Sequence, residues 1–166
     1  MTLRIDHTLD VAAPAGIVWQ VVADLPRYGE WNPFVVAASS TLVVGDPIDM
    51  EVRVLPFMTQ RQRETISHND PGRRFCYGLA KNRVGALYSE RCHEISETGP
   101  GKCRYASRFA LQGWLSPVVG LLLGGSLRRG FGEMSAAVRT RAEELAGTAG
   151  AASSSAPAPT GTSRGA

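Results

Sequence analysis

Cysteine is scarce and unpatterned in this chain: Cys76, Cys92 and Cys103 are an odd number with no CxxC spacing. Neither a disulfide framework nor a zinc site is expected from them, and a reducing cytoplasm is the simplest setting. Long hydrophobic runs are missing too. The longest, Trp114 to Leu123, is about half the ~20 residues a membrane-spanning helix requires. It suits either weak contact with a membrane surface or the buried start of a helix. The opening stretch, MTLRIDHTLD, has charges where a signal peptide carries its apolar core, so an export signal of the usual kind is not expected.

Charge of one sign is also lacking. The 18 basic residues are scattered among 15 acidic ones for a net charge of +3, and without a basic stripe nucleic acid is not expected as a partner. His7, His68 and His93 lie far apart with no HxH or HExxH spacing, so no metal site is expected. The run GLLLGGSLRRGFG, from Gly120 to Gly132, is glycine-rich but lacks the lysine and serine or threonine of a phosphate-binding loop. No serine sits in a nucleophile elbow. These absences predict chemistry without a cofactor, if there is chemistry at all.

What is present is organised. Leu3, Ile5, His7, Leu9 and Val11 alternate with Arg4, Asp6, Thr8 and Asp10, the pattern of a half-buried strand; His7 is read there as a core histidine. From Pro14, the residues Ile17, Val18, Val21, Val22 and Leu25 form one helical face, and Pro26 ends it. The following PRYGEWNPF is too broken for a regular element yet holds three aromatic rings, an investment in apolar area that a surface loop seldom makes.

Further strands are expected over 34–44, 48–55, 59–68, 73–80, 87–97 and 102–111, divided by turn signals such as Gly45-Asp46-Pro47, Asn69-Asp70-Pro71-Gly72 and Thr98-Gly99-Pro100-Gly101. The fourth of the seven strands, Thr59 to His68, alternates polar residues throughout and reads as a strand with a wet face. Gly113 to Leu145 returns to helical spacing, with Leu127, Phe131, Met134, Val138, Ala142 and Leu145 on one face. Its glycines predict a first half that is loose, kinked or pressed against another backbone. The last stretch, 147–166, has no large aliphatic or aromatic residue and one charge, so it is read as a disordered tail beyond a single domain over 1–146. The order favours an α+β fold in which a curved antiparallel sheet wraps the last helix.

The proline-started PAGIVWQVVADLPRYGEWNPF, Val44-Gly45-Asp46, Asn69-Asp70-Pro71-Gly72-Arg73 and LRRGFGEMSAAVRTRAEEL together resemble the START-like, or SRPBCC, superfamily. Its members include the birch pollen allergen, lipid-transfer domains, and polyketide cyclases and aromatases. The resemblance implies a helix-grip: a seven-stranded antiparallel sheet around the long C-terminal helix, two short helices after the first strand, and a ligand cavity between them.

Strand faces then nominate the residues that could line such a cavity. His93 stands where an aliphatic or aromatic residue is expected and has the intrinsic pKa of an acid–base group. Arg91, on the same face, suits a carboxylate or enolate oxygen. Tyr105, with Tyr77 and Ser107, offers hydroxyls that can orient a carbonyl. Trp31 and Phe34 are candidates for the cavity entrance. Phe75, Phe109, Met50, Val52, Phe131 and Met134 serve as core and cavity wall together. Two functions are expected. One is binding of a hydrophobic or aromatic small molecule of polyketide, lipid or isoprenoid type. The other is a polyketide cyclase, aromatase or dehydratase in which His93, Arg91 and Tyr105 do the chemistry. Either a monomer or a homodimer is compatible with the sequence.

Overall fold

The computed structural model describes residues 2–55, 58–81 and 83–154. Strand β1 (Leu3–Val11) buries Ile5 and Val11 while Arg4, Asp6, Thr8 and Asp10 face water, as alternation requires. Helix α1 (Ala15–Ala23) buries Val18, Val21 and Val22. It closes before Leu25 because Pro26 has no N–H to offer the carbonyl of Val22. The Tyr28 hydroxyl donates to that carbonyl instead, at 2.6 Å.

The segment expected to be irregular is more ordered than its glycine and prolines suggest. A 3₁₀ turn (Leu25–Arg27) runs into a one-turn helix, α2 (Tyr28–Trp31). Asn32 then accepts the backbone N–H groups of Phe34 and Val35 at 3.0 and 2.9 Å, a side-chain turn that covers for Pro33. Glu30 ties the segment to the last helix through Arg141, at 3.3 Å.

Strands β2 (Val35–Ser40), β3 (Pro47–Leu55), β4 (Met58–Asp70), β5 (Arg74–Gly78), β6 (Tyr88–Gly99) and β7 (Lys102–Gln112) form with β1 a seven-stranded antiparallel sheet in the order β1-β7-β6-β5-β4-β3-β2. Register shifts interrupt the pairing of β2 with β3, β3 with β4 and β4 with β5, and such bulges bend a sheet. Into its concave side goes α3 (Ser116–Ser154), whose Met134, Val138 and Ala142 are fully buried. Gly113, at φ 111°, makes the turn between β7 and α3 that an L side chain resists. At Gly130 a Cβ would run into the Phe34 ring. The glycine therefore lets the helix approach that ring, although Gly120 and Gly125 touch nothing comparable.

Two expectations need correction. Helix α3 continues through 147–154, where composition was read as a tail; alanine there is the best helix former, and a helix already nucleated upstream extends without the cost of a new nucleus. The remainder of that stretch, 155–166, lies outside the described residues. Cys76 and Cys92 face each other directly across β5 and β6, with Cα atoms 4.1 Å apart, and are joined by a disulfide. Only Cys103 is a free thiol, and it is buried. Strand register, which no spacing motif encodes, brings the pair together, and the inference from cysteine number to a reducing compartment no longer carries.

In denaturant without reductant, Cys103 alone is expected to alkylate, and all three cysteines after reduction, a difference that intact mass spectrometry reads directly. Replacing both Cys76 and Cys92 by alanine is expected to cost about 3 kcal/mol of stability, the value for closing a loop of about 15 residues, seen as a lower urea midpoint.

Candidate functional site

The register across the middle of the sheet sets out the inner wall. Ile66 on β4 pairs with Tyr77 on β5, Tyr77 with Arg91 on β6, and Arg91 with Phe109 on β7. One step deeper stand Phe75, His93 and Ser107. Toward the open end of the same face come Glu64, Gln62 and Gln60 on β4, with Ser89 on β6.

Between this wall and the first half of α3 is a cavity of about 440 Å³, within the usual range of small-molecule sites. Its apolar lining includes Phe34, Val52, Val54, Phe109, Leu111, Leu123, Leu127 and Phe131. Its polar lining comes from Gln60, Gln62, Arg63, Glu64, Tyr77, Ser89 and Arg91. A wider depression on the outer surface of β2–β4 has its charges paired, Asp49 with Arg63 at 2.6 Å and Glu51 with Arg61 at 3.0 Å. It leaves no demand for a ligand.

Arg91 is 3% exposed. Its Nε donates to His93 Nε2 at 3.4 Å, its Nη2 points to the Met134 sulfur at 3.2 Å, and its guanidinium lies 4.0 Å from the centre of the Phe131 ring. Nη1 has no hydrogen-bond partner among the described residues, and no carboxylate there forms an ion pair with the group. Arginine can only donate, so His93 Nε2 is the acceptor and the imidazole proton sits on Nδ1. That proton goes to the Tyr105 oxygen at 2.7 Å. Burial, and then the charge of Arg91, hold the His93 pKa well below the ordinary imidazole value. Burial likewise keeps the Tyr77 and Tyr105 phenols protonated by raising their pKa.

Glu64 is the inner-face carboxylate nearest this group. Burial raises its pKa to about 7, against a smaller opposing pull from Arg91. Among the described residues its side chain makes no hydrogen bond or ion pair.

The expected site residues therefore separate into two layers. Arg91, Phe34, Met50, Val52, Tyr77, Phe109 and Phe131 border the cavity. His93, Tyr105, Phe75, Ser107 and Met134 are buried behind them, where His93 stacks on Phe75 with ring centres 4.7 Å apart. Trp31 sits on α2 against Tyr28, at 5.0 Å, away from the cavity. Sequence reasoning missed Glu64, Gln60 and Gln62. The signal was there: they alternate in step with Ile66, which marks the inner face of β4. The Trp114–Leu123 stretch divides between its two sides, Val119 and Leu123 lining the cavity while Trp114, Val118, Leu121 and Leu122 are exposed. No described helix is long and apolar enough to cross a membrane.

Comparison with known proteins bears on this arrangement. No curated protein matches the chain by sequence. Among solved structures, the Zhui aromatase/cyclase from Streptomyces sp. R1128 superposes with a TM-score of 0.65 at 18% identity, over 89% of this chain and 94% of that one. A START superfamily protein from Mycobacterium smegmatis gives 0.64 at 18% identity, over 86% and 98%. Norcoclaurine synthase from Thalictrum flavum, in complex with dopamine and hydroxybenzaldehyde, gives 0.65 at 18%, over 87% and 88%. These likenesses show the shared START-like helix-grip fold. The family described as polyketide cyclase / dehydrase and lipid transport matches residues 2–143, from β1 through the buried face of α3, and the chain belongs to that family.

Proposed function

We propose that this protein encloses a hydrophobic, aromatic or polyketide-like small molecule between sheet and α3 and holds one of its carbonyl or carboxylate oxygens on Arg91. The observation that carries this reading is the buried guanidinium with an unpartnered Nη1 at the cavity wall. A buried cation without a carboxylate is costly, and a ligand oxygen supplies what the protein does not. The rings of Phe34, Phe109 and Phe131 offer the apolar faces for the rest of the molecule. Family membership and the aromatase/cyclase and norcoclaurine synthase relatives support this kind of ligand.

A second reading, cyclisation, aromatisation or dehydration of a carbonyl-bearing chain, is favoured by the polar strip from Gln60 to Glu64 beside Arg91. In both readings His93 and Tyr105 act through Arg91. The neutral imidazole accepts from Nε and so fixes the plane of the guanidinium, and Tyr105 fixes the imidazole. They are positioning residues.

Arg91→Met keeps the length and the contacts with Met134 and Phe131 but removes the charge. The variant is expected to bind the aromatic anion anilinonaphthalene sulfonate about tenfold more weakly, the value of one charged hydrogen bond, by fluorescence titration of protein whose far-UV spectrum is unchanged. Equal affinity would remove Arg91 from the reading. Mass spectrometry of an extract of the purified protein tests the ligand class directly.

The native state leaves His93 unprotonated while the unfolded chain takes up a proton near pH ~6.5. Its contribution to stability is therefore complete above that pH and lost as pH falls below it. Glu64 works in the opposite sense: with a native pKa of about 7, it costs stability at higher pH and ceases to as pH falls toward its unfolded value of ~4.3. In Glu64→Gln protein, where only the His93 effect remains of the two, the urea midpoint is expected to fall on acidification below pH ~6.5. Nitrogen NMR should show His93 as the neutral Nδ1–H form throughout, and a protonated ring at that pH would contradict the buried chain.

A further inference from the structure

We propose that Glu64 is the proton-transferring group of the cavity, taking a proton from the carbon next to a ligand carbonyl whose oxygen rests on Arg91. This rests on the ligand reading above and adds a reaction to it.

The geometry is that of a base and an oxygen-binding cation set apart on one wall of the cavity. Glu64 is on β4 and Arg91 on β6, with β5 between them, and Glu64 is two residues along from Ile66, which is in line with Arg91, so two strand spacings and two residues of rise separate their backbones by roughly 12 Å. Both side chains line one cavity, yet they do not form an ion pair. On the outer face of the same strand, Arg61 and Arg63 are each paired with a carboxylate of β3, which makes the unpaired carboxylate on the inner face the more unusual. The charged and titratable groups facing Glu64 are Arg91 and Tyr77, and Arg63, which also borders the cavity, is paired with Asp49. From α3 come Val119, Leu123, Leu127 and Phe131, and from β3 Met50, Val52 and Val54, none of which titrates.

The step balances within the site. The Glu64 carboxylate takes the proton as the C–H bond breaks, the C–H pair becomes a carbon–carbon double bond, and the carbonyl pair moves to oxygen. The enolate so formed faces the Arg91 guanidinium, a donor already in place where charge develops. Protonated Glu64 then returns its proton to a departing β-hydroxyl, which leaves as water while the carbonyl re-forms. Dehydration of a β-hydroxy ketone thus needs no cofactor and no oxidant. The raised carboxyl pKa supports both halves of the exchange near neutral pH.

Nitrobenzisoxazole tests this without knowledge of the natural substrate. A carboxylate that removes its ring C–H proton breaks the N–O bond, and the pair ends on oxygen as a coloured cyanonitrophenolate. The full chain is expected to accelerate this reaction above the rate with free acetate, with a rate that rises with pH through about 7, the Glu64 value. Glu64→Gln is expected to lose about 100-fold, as for removal of a general base, while binding anilinonaphthalene sulfonate at least as tightly as the parent. Glu64→Asp should restore part of the rate together with its pH dependence. If Glu64→Gln binds that anion yet keeps the parent rate, or the parent binds nitrobenzisoxazole without exceeding acetate, the proton-transfer role is wrong and the ligand reading stands. If the parent binds neither probe, the ligand reading fails with it.

Discussion

A guanidinium buried without a carboxylate is the constraint on which the rest of this site depends. Removing a cation from water costs several kcal/mol, and the fold meets that cost with weaker partners: the His93 nitrogen, the Met134 sulfur and the Phe131 ring face. A cation over an aromatic face away from water is worth about 2 kcal/mol. The sum leaves Nη1 open, and it also decides the state of the neighbours. A protonated His93 could not accept from Arg91, so the imidazole must stay neutral, and the Tyr105 hydroxyl is needed to receive its remaining proton.

The scaffold holds this constellation from both sides of the sheet. Tyr77 and Arg91 are directly paired on the concave side of β5 and β6, and Cys76 and Cys92 are paired one residue away and linked on the convex side. A covalent bond at that point prevents the two strands from slipping, and a slip of one residue would turn Arg91 out of the cavity. From above, Phe131 on α3 meets both Phe34 and Phe109, at 4.9 and 4.7 Å. Gly130 allows the helix close enough for that cluster to form. The helix thus contributes apolar groups alone, while the sheet contributes both apolar and hydrogen-bonding ones.

The architecture was legible because alternation in β1, β3 and β5–β7 and the helical stripe of α3 each obey one period, and their order leaves few topologies. Inward positions followed from the same alternation, so Arg91, Tyr77 and Phe109 were placed on the correct face. Strand β4 was harder. Its inner face carries Gln60, Gln62 and Glu64 where a core strand has aliphatics, and a polar strand looks wet on both sides unless Ile66 is used to set the phase. The depth of a residue was not legible at all. His93 and Arg91 share a face two residues apart, but only three-dimensional packing distinguishes the group that borders the cavity from the one stacked beneath Phe75 and Tyr105. The Cys76–Cys92 bond escaped for a similar reason, since it follows from register between strands.

On the proposed reaction, binding and catalysis in this cavity differ by the state of one carboxyl group. With Glu64 neutral, Arg91 is the one charge of the lining without a carboxylate partner among the described residues, Arg63 being paired with Asp49, and it attracts an anionic or strongly polarised oxygen. With Glu64 ionised, Glu64 and Arg91 offset one another but stand on separate strands, which favours a neutral carbonyl compound that develops charge as it reacts. Because the pKa of Glu64 is about 7, both states are populated near neutrality, which is what the proposed general base requires. A purely storage cavity has no use for that balance, since an aliphatic residue at position 64 would bind an apolar ligand better. Under the proposed reaction, the carboxylate on β4 is therefore the feature that separates a protein acting on its ligand from one that only encloses it.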